Sequence, residues 1–128
     1  MGTKNHITAH FTPDHEEFIS NDGKVHEFGT TGPYDYLLGA LSGCLSHTFK
    51  SLAVKFRIEW EDLKIEINSE KRDETPQMLK EVHVDAVIKT SSEQEKVTKC
   101  FETATRYCSQ FQTLSHVAQM HWSLKFAE

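Results

Sequence analysis

The chain has 128 residues and a formal net charge of −5, a length that suits one domain spanning 1–128. Its 14 Lys and Arg form no run and are outnumbered by 19 Asp and Glu, so a nucleic-acid phosphate backbone is not an expected partner, and no stretch approaches the ~20 apolar residues of a membrane span. The opening MGTKNHITAHFT lacks the apolar core of a secretory signal, and three cysteines, an odd number, do not suit a structural disulfide framework; a cytoplasmic protein with free thiols is the expectation.

Residues 5–12 are β-like and end at the turn signal Pro13-Asp14. Residues 16–20 and 24–28 then read as a hairpin, with Asn21, Asp22 and Gly23 supplying backbone tolerant of a tight turn. After a loop over 29–32, Pro33 suits the first position of a helix. Thr31 or Gly32 lies near its cap, and Asp35 falls in its first turn, where a carboxylate complements the dipole. Leu37, Leu38, Leu41, Leu45, Phe49, Leu52 and Ala53 follow at helical spacing. Between 37 and 46 this helix is nearly apolar all round, so it is expected to be central and buried. Gly39, Ala40, Ser42, Gly43 and Ser46 are small enough to admit close approach of another element.

Leu63, Ile65 and Ile67 alternate with charged residues, as in a half-buried strand. A polar turn over 72–77 follows, and Val82, Val84, Ala86 and Ile88 repeat the alternation. Ser91 or Ser92 is placed to cap a second helix with Glu95 completing a capping box. That helix runs to Cys108, residues 109–116 begin a further short helix, and Met120, Trp122, Leu124 and Phe126 close the chain as a strand. The order β-β-β-α-β-β-α-β, with strands grouped in runs, predicts an α+β fold with a largely antiparallel sheet.

The cysteines carry the chemical question. Cys44 lies mid-helix among small residues and reads either as a small core hydrophobe or as a reactive thiol. Cys108, near the end of the second helix, has the same two readings, whereas no chemistry needs Cys100, which reads as structural. His47 follows Cys44 by three residues on the same helical face and can lower the thiol pKa or share a metal with it. A partly exposed or hydrogen-bonded histidine is the plainer reading. One Cys and one His are two ligands only, and no spacing recruits His10, His26 or His116, so no metal site is predicted. No phosphate-cradling glycine loop, dinucleotide fingerprint or serine nucleophile elbow is present, and no cofactor is predicted. Tyr34, Tyr36, Phe49, Phe111 and Trp122 could line an apolar pocket near the thiols, with ordinary core packing the plainer alternative.

The segment PYDYLLGALSGCLS (33–46) resembles the first cysteine motif of the OsmC/Ohr family: a Pro, an acid, a Leu-rich run and small residues leading to Cys44. The segment YCSQFQTLS (107–115) resembles the second, in which a Cys precedes a Thr-Leu pair. The resemblance covers residues 30–126 and implies an OsmC-like fold whose long central helix carries Cys44, in an interwoven homodimer. It also implies thiol-dependent reduction of organic hydroperoxides. Cys44 attacks the peroxide, Cys108 closes a disulfide on it, and a dithiol reductant reopens the disulfide. A carboxylate at the start of the helix and an arginine from the N-terminal strands support the thiolate in that family. The carboxylate position falls on Asp35, about 2.5 helical turns from Cys44, so the two point to opposite sides of one helix and meet more readily across two packed helices. The arginine has no counterpart: Arg57, Arg72 and Arg106 are the only arginines. That departure admits a divergent OsmC-like protein that binds a small hydrophobic or thiol ligand without efficient peroxidase activity. A metal or redox sensor built on Cys44 and His47 is a third reading.

Overall fold

The computed structural model describes residues 2–128, which form two compact units, one ending at Leu37 and one running Leu38–Glu128. In the first, β1 (Thr8–Thr12), β2 (His15–Ile19) and β3 (Val25–Glu27) make an antiparallel sheet. Thr12 pairs with His15 across the Pro13-Asp14 turn. At the second turn Gly23 adopts φ +85°, a left-handed conformation that costs glycine nothing, and donates its N–H to Ser20 O at 2.9 Å. Aromatic side chains hold the unit together. Phe18 stacks on His26 at 4.7 Å and meets Phe28 at 5.6 Å. Tyr36 closes edge-on against Phe28 at 5.1 Å and donates its hydroxyl to Glu27 O at 2.8 Å.

Helix α1 (Pro33–Lys55) begins at the expected proline. Leu41, Leu45, Phe49 and Ala53, four residues apart, form its buried stripe. The expectation of a helix buried all round is corrected: Gly39 and Ala40 are exposed, and nothing lies within 4 Å of a Cβ added at Gly39 or Gly43. A stripe one residue wide suffices to seat the helix on this chain's own core, and the small residues between the stripes are left uncovered. The helix ends in a Schellman arrangement. Arg57 takes φ 55°, its N–H reaches Val54 O at 3.2 Å, and Ile58 N–H reaches Ala53 O at 2.9 Å.

In the second unit β4 (Trp60–Lys71), β5 (Leu79–Thr90) and β6 (Gln119–Phe126) form a sheet in that order. β4 and β5 are antiparallel, but β6 runs parallel to β5. The chain leaves β5, crosses the sheet face as α2 (Gln94–Tyr107) and α3 (Ser109–Ser115), and re-enters in the same direction, which dictates parallel pairing. Val82, Val84, Ala86 and Ile88 face inward and are fully or almost fully buried. Val97, Cys100, Phe101 and Ala104 of α2 are fully buried as well. Phe101 bridges Phe49 at 6.0 Å and Trp122 at 5.5 Å, and Phe49 meets Trp60 at 5.7 Å. Among the described residues, no helix is long and apolar enough to cross a membrane.

The predicted capping box does not form. Helix α2 starts at Gln94 behind Glu93, which makes no side-chain cap. Ser92 Oγ instead accepts from Glu59 N–H at 2.9 Å, and Ser92 N–H donates to Thr90 Oγ1 at 3.0 Å, tying the β5–α2 turn to the start of β4. A tertiary contact has taken the hydroxyl that a local rule assigned to the helix.

Arginine at the left-handed position behind α1 carries a steric cost that glycine avoids, roughly 1–2 kcal/mol before glycine's greater freedom in the unfolded chain is subtracted. Arg57→Gly is therefore expected to stabilise the protein by about 0.5–1 kcal/mol. Urea unfolding monitored by circular dichroism checks this; an unchanged or lowered midpoint would show that the Arg57 side chain supplies a compensating contact.

Candidate active site

The site is built at a break between two helices. Cys108 adopts an extended conformation (φ −73°, ψ 113°) that ends α2 and starts α3. Its N–H still closes the last turn of α2 on Ala104 O at 2.8 Å, and its carbonyl opens α3 by accepting from Gln112 N–H at 3.0 Å. The first N–H groups of α3 therefore have no partner within their own helix. Phe111 N–H donates to Cys108 Sγ at 3.5 Å, so the thiol itself caps α3. Phe111 and Leu114 are buried and hold the short helix in place.

Cys44 projects from α1 onto the same first turn. Its Sγ lies 3.6 Å from Ser109 Oγ. Partial burial pushes the Cys44 thiol up. The N–H of Gln110, the Cys108 thiol, and the hydroxyl and N–H of Ser109 outweigh that and hold it below the ordinary thiol value, because each favours the thiolate. Cys108 moves the opposite way. Burial pushes it up to about 11, and although the Phe111 N–H lowers it, the neighbouring Cys44 sulfur raises it further. Of the two thiols, Cys44 is therefore the acid that ionises first.

Of the residues singled out from sequence, Cys44 and Cys108 are brought together. Cys100 is fully buried in α2, and burial alone pushes its thiol up to about 11, as suits a structural residue. His47 is exposed and is not among the groups that set the Cys44 thiol. Asp35 is exposed in the first turn of α1, with its N–H on Gly32 O at 3.0 Å. The aromatic candidates are packed in their own units: Phe49 and Trp122 with Phe101, and Tyr36 with Phe18 and Phe28. Arg72 is engaged elsewhere, donating to Val117 O at 2.7 Å and Leu79 O at 3.4 Å. Ser109 and the N–H of Gln110 had not been singled out. The short helix predicted to start at 109 was the available signal, since free N–H groups gather at such a start.

The family model described as OsmC-like protein matches residues 24–123. No curated protein matches the sequence. Among solved structures, the chain is similar to an OsmC-like protein from Mycoplasma pneumoniae, with TM-score 0.88 and 18% identity over 100% of both chains. It is also similar to an organic hydroperoxide resistance protein OsmC from Legionella pneumophila, with TM-score 0.75 and 15% identity over 96% of this chain and 97% of that one. A third likeness is to the organic hydroperoxide resistance protein OhrB of Bacillus subtilis, with TM-score 0.68 and 16% identity over 96% and 98%.

Because alkylation requires the thiolate, the pH profile of iodoacetamide labelling reads these environments directly. Cys44 is expected to label with a midpoint below that of an ordinary thiol. Cys100 and Cys108, buried and pushed up to about 11, stay unlabelled near neutrality. Ser109→Ala removes one donor that favours the Cys44 thiolate and moves its midpoint upward. Peptide mapping with mass spectrometry gives each site separately; a Cys44 midpoint unmoved in Ser109→Ala would remove that hydroxyl from the site.

Proposed function

The chain belongs to the OsmC/Ohr family of OsmC-like proteins, and on that premise we propose that it reduces organic hydroperoxides with Cys44 as nucleophile and Cys108 as resolving thiol. The observation that carries this reading is where the two thiols stand: Cys108 caps α3, and the Cys44 sulfur lies 3.6 Å from the hydroxyl of Ser109, the next residue, with Cys44 held below the ordinary thiol value and Cys108 pushed up to about 11. The Cys44 thiolate attacks the outer oxygen of ROOH. An S–O bond forms, the O–O bond breaks, and RO⁻ takes a proton to leave as the alcohol. Cys44 is now a sulfenic acid. The two influences of the Cys44 sulfur that raised Cys108 are removed in that step, so Cys108 becomes more acidic when its turn comes. Its sulfur attacks Cys44, the disulfide forms and the hydroxyl leaves as water. A dithiol reductant returns two electrons and two protons, which suits a reducing compartment such as the cytoplasm.

We place the same chain in an interwoven homodimer. Support comes from α1, whose Gly39 and Ala40 are exposed and whose Val54 is 78% exposed, a small-residue apolar surface suited to a second copy. In that arrangement Asp35 of one copy supplies the carboxylate to Cys44 of the other. The absent N-terminal arginine favours one competing reading, an OsmC-like protein that binds a small hydrophobic or thiol ligand at these cysteines without turnover.

Intact-mass and peptide analysis of the reduced protein, before and after stoichiometric cumene hydroperoxide, separates the two. The proposed reading expects a Cys44–Cys108 disulfide, no disulfide in Cys44→Ser, and a Cys44 sulfenic acid trapped by dimedone in Cys108→Ser. Thiols that stay reduced through prolonged exposure would leave the ligand-binding reading in its place.

A further inference from the structure

The outer face of the second sheet carries a cluster unrelated to the thiols. Glu81 and His83 are alternate residues of β5, so both point away from the core that Val82 and Val84 fill. His121 of β6 is the register partner of His83. The two imidazoles stack at 4.5 Å with planes 11° apart, and both turn Nε2 toward one carboxylate oxygen. His121 Nε2 lies 3.3 Å and His83 Nε2 3.9 Å from Glu81 Oε1. The three donor atoms all lie within 4.8 Å of one another.

From this geometry we propose that Glu81, His83 and His121 form a binding site for a borderline first-row divalent cation of the zinc and copper class. Two ligands at about 2.0–2.1 Å from a tetrahedral metal are ~3.3 Å apart. One pair already has that separation; binding of all three requires the stacked imidazoles to turn out of parallel so that both Nε2 lone pairs, which lie in the ring planes, converge on the ion, and both side chains are exposed and free to do so. Two imidazoles and one carboxylate favour zinc, nickel or copper over magnesium or calcium, which prefer all-oxygen sets. The donors stand on two directly paired strands whose inward residues are buried, so the backbone does not have to rearrange to gather them. The nearest further carboxylate along β5, Asp85, already accepts the Ser123 hydroxyl at 2.6 Å. Three protein ligands thus leave a coordination position open to solvent, since His83 and His121 are both exposed. No sulfur takes part, so the site is independent of the chemistry proposed for Cys44 and of its oxidation state.

Zinc titration by calorimetry on the Cys44→Ser protein, which removes the one competing thiol that is not fully buried, tests the site. One equivalent is expected to bind. His83→Ala, His121→Ala and Glu81→Gln should each weaken it roughly tenfold or more, since loss of groups merely supporting a metal ligand already costs that much. His10→Ala, at an exposed histidine of β1, should not. Circular dichroism establishes that each variant is folded. An independent reading needs no change at the site: copper bound at one equivalent should give an electron paramagnetic resonance spectrum split by two imidazole nitrogens. Absence of stoichiometric zinc binding, equal binding in the His83 and His121 variants, or a copper spectrum without two nitrogens would each overturn the proposal.

Discussion

One extended residue, Cys108, separates two helices that would otherwise run on as one, and the chemistry of the molecule depends on that interruption. In a continuous helix the N–H groups of residues 109 to 111 would be spent on carbonyls four residues earlier. The break releases them. Phe111 N–H goes to Cys108 itself, and those of Ser109 and Gln110 favour the thiolate of Cys44. The residue that breaks the helix is thus also the second thiol, which ties the position of one sulfur to the supply of donors for the other.

Keeping Cys44 at that turn is the work of the core. The stripe Leu41, Leu45, Phe49 and Ala53 lies on the same helix, with Leu45 immediately after Cys44. Phe49 is fixed by Trp60 and Phe101, and Phe101 by Trp122. The inward face of the sheet therefore sets the position of the nucleophile candidate through a chain of aromatic contacts. The outward face shares the backbone but not those contacts. Truncating a side chain there leaves the core stripe intact, while a cavity at Phe49 or Phe101 shifts the sulfur.

Much of this was legible in the sequence because it is local. Period-four spacing marked the stripe of α1, alternation marked β4, β5 and β6, and Pro33 marked the start of the long helix. The failures share a different cause: a partner distant in sequence. Ser92 did not cap α2 because Glu59, 33 residues earlier, claims its hydroxyl. The parallel pairing of β6 follows from the crossover through α2 and α3, which no property of residues 119–126 records. His83 and His121 are unremarkable histidines on separate strands until that parallel register sets them side by side. The thiol donors were hidden for another reason: two of them are backbone N–H groups, which every sequence contains and only a helix break exposes.

The absence of an N-terminal arginine acquires a physical meaning from this arrangement. A guanidinium stabilises a thiolate by full charge and can also hold the oxygen that departs from a peroxide. Here, within the second unit, the lowering of Cys44 comes from neutral donors at short range. Such donors favour the thiolate, but a thiolate stabilised by hydrogen bonds is also a weaker nucleophile than its ionised fraction suggests, because nucleophilicity falls along with pKa. The remaining requirement is a proton or hydrogen bond for the departing alkoxide. In this unit the side chain best placed to give one is Ser109, whose hydroxyl stands 3.6 Å from the Cys44 sulfur and is not needed for the fold of α3, since Cys108 caps that helix. On the proposed reading the serine next to the resolving cysteine takes over part of what an arginine does by charge. The neutral substitute favours slower turnover whose rate changes little with ionic strength, because contact hydrogen bonds to a partly buried sulfur are screened far less than a charge acting through solvent.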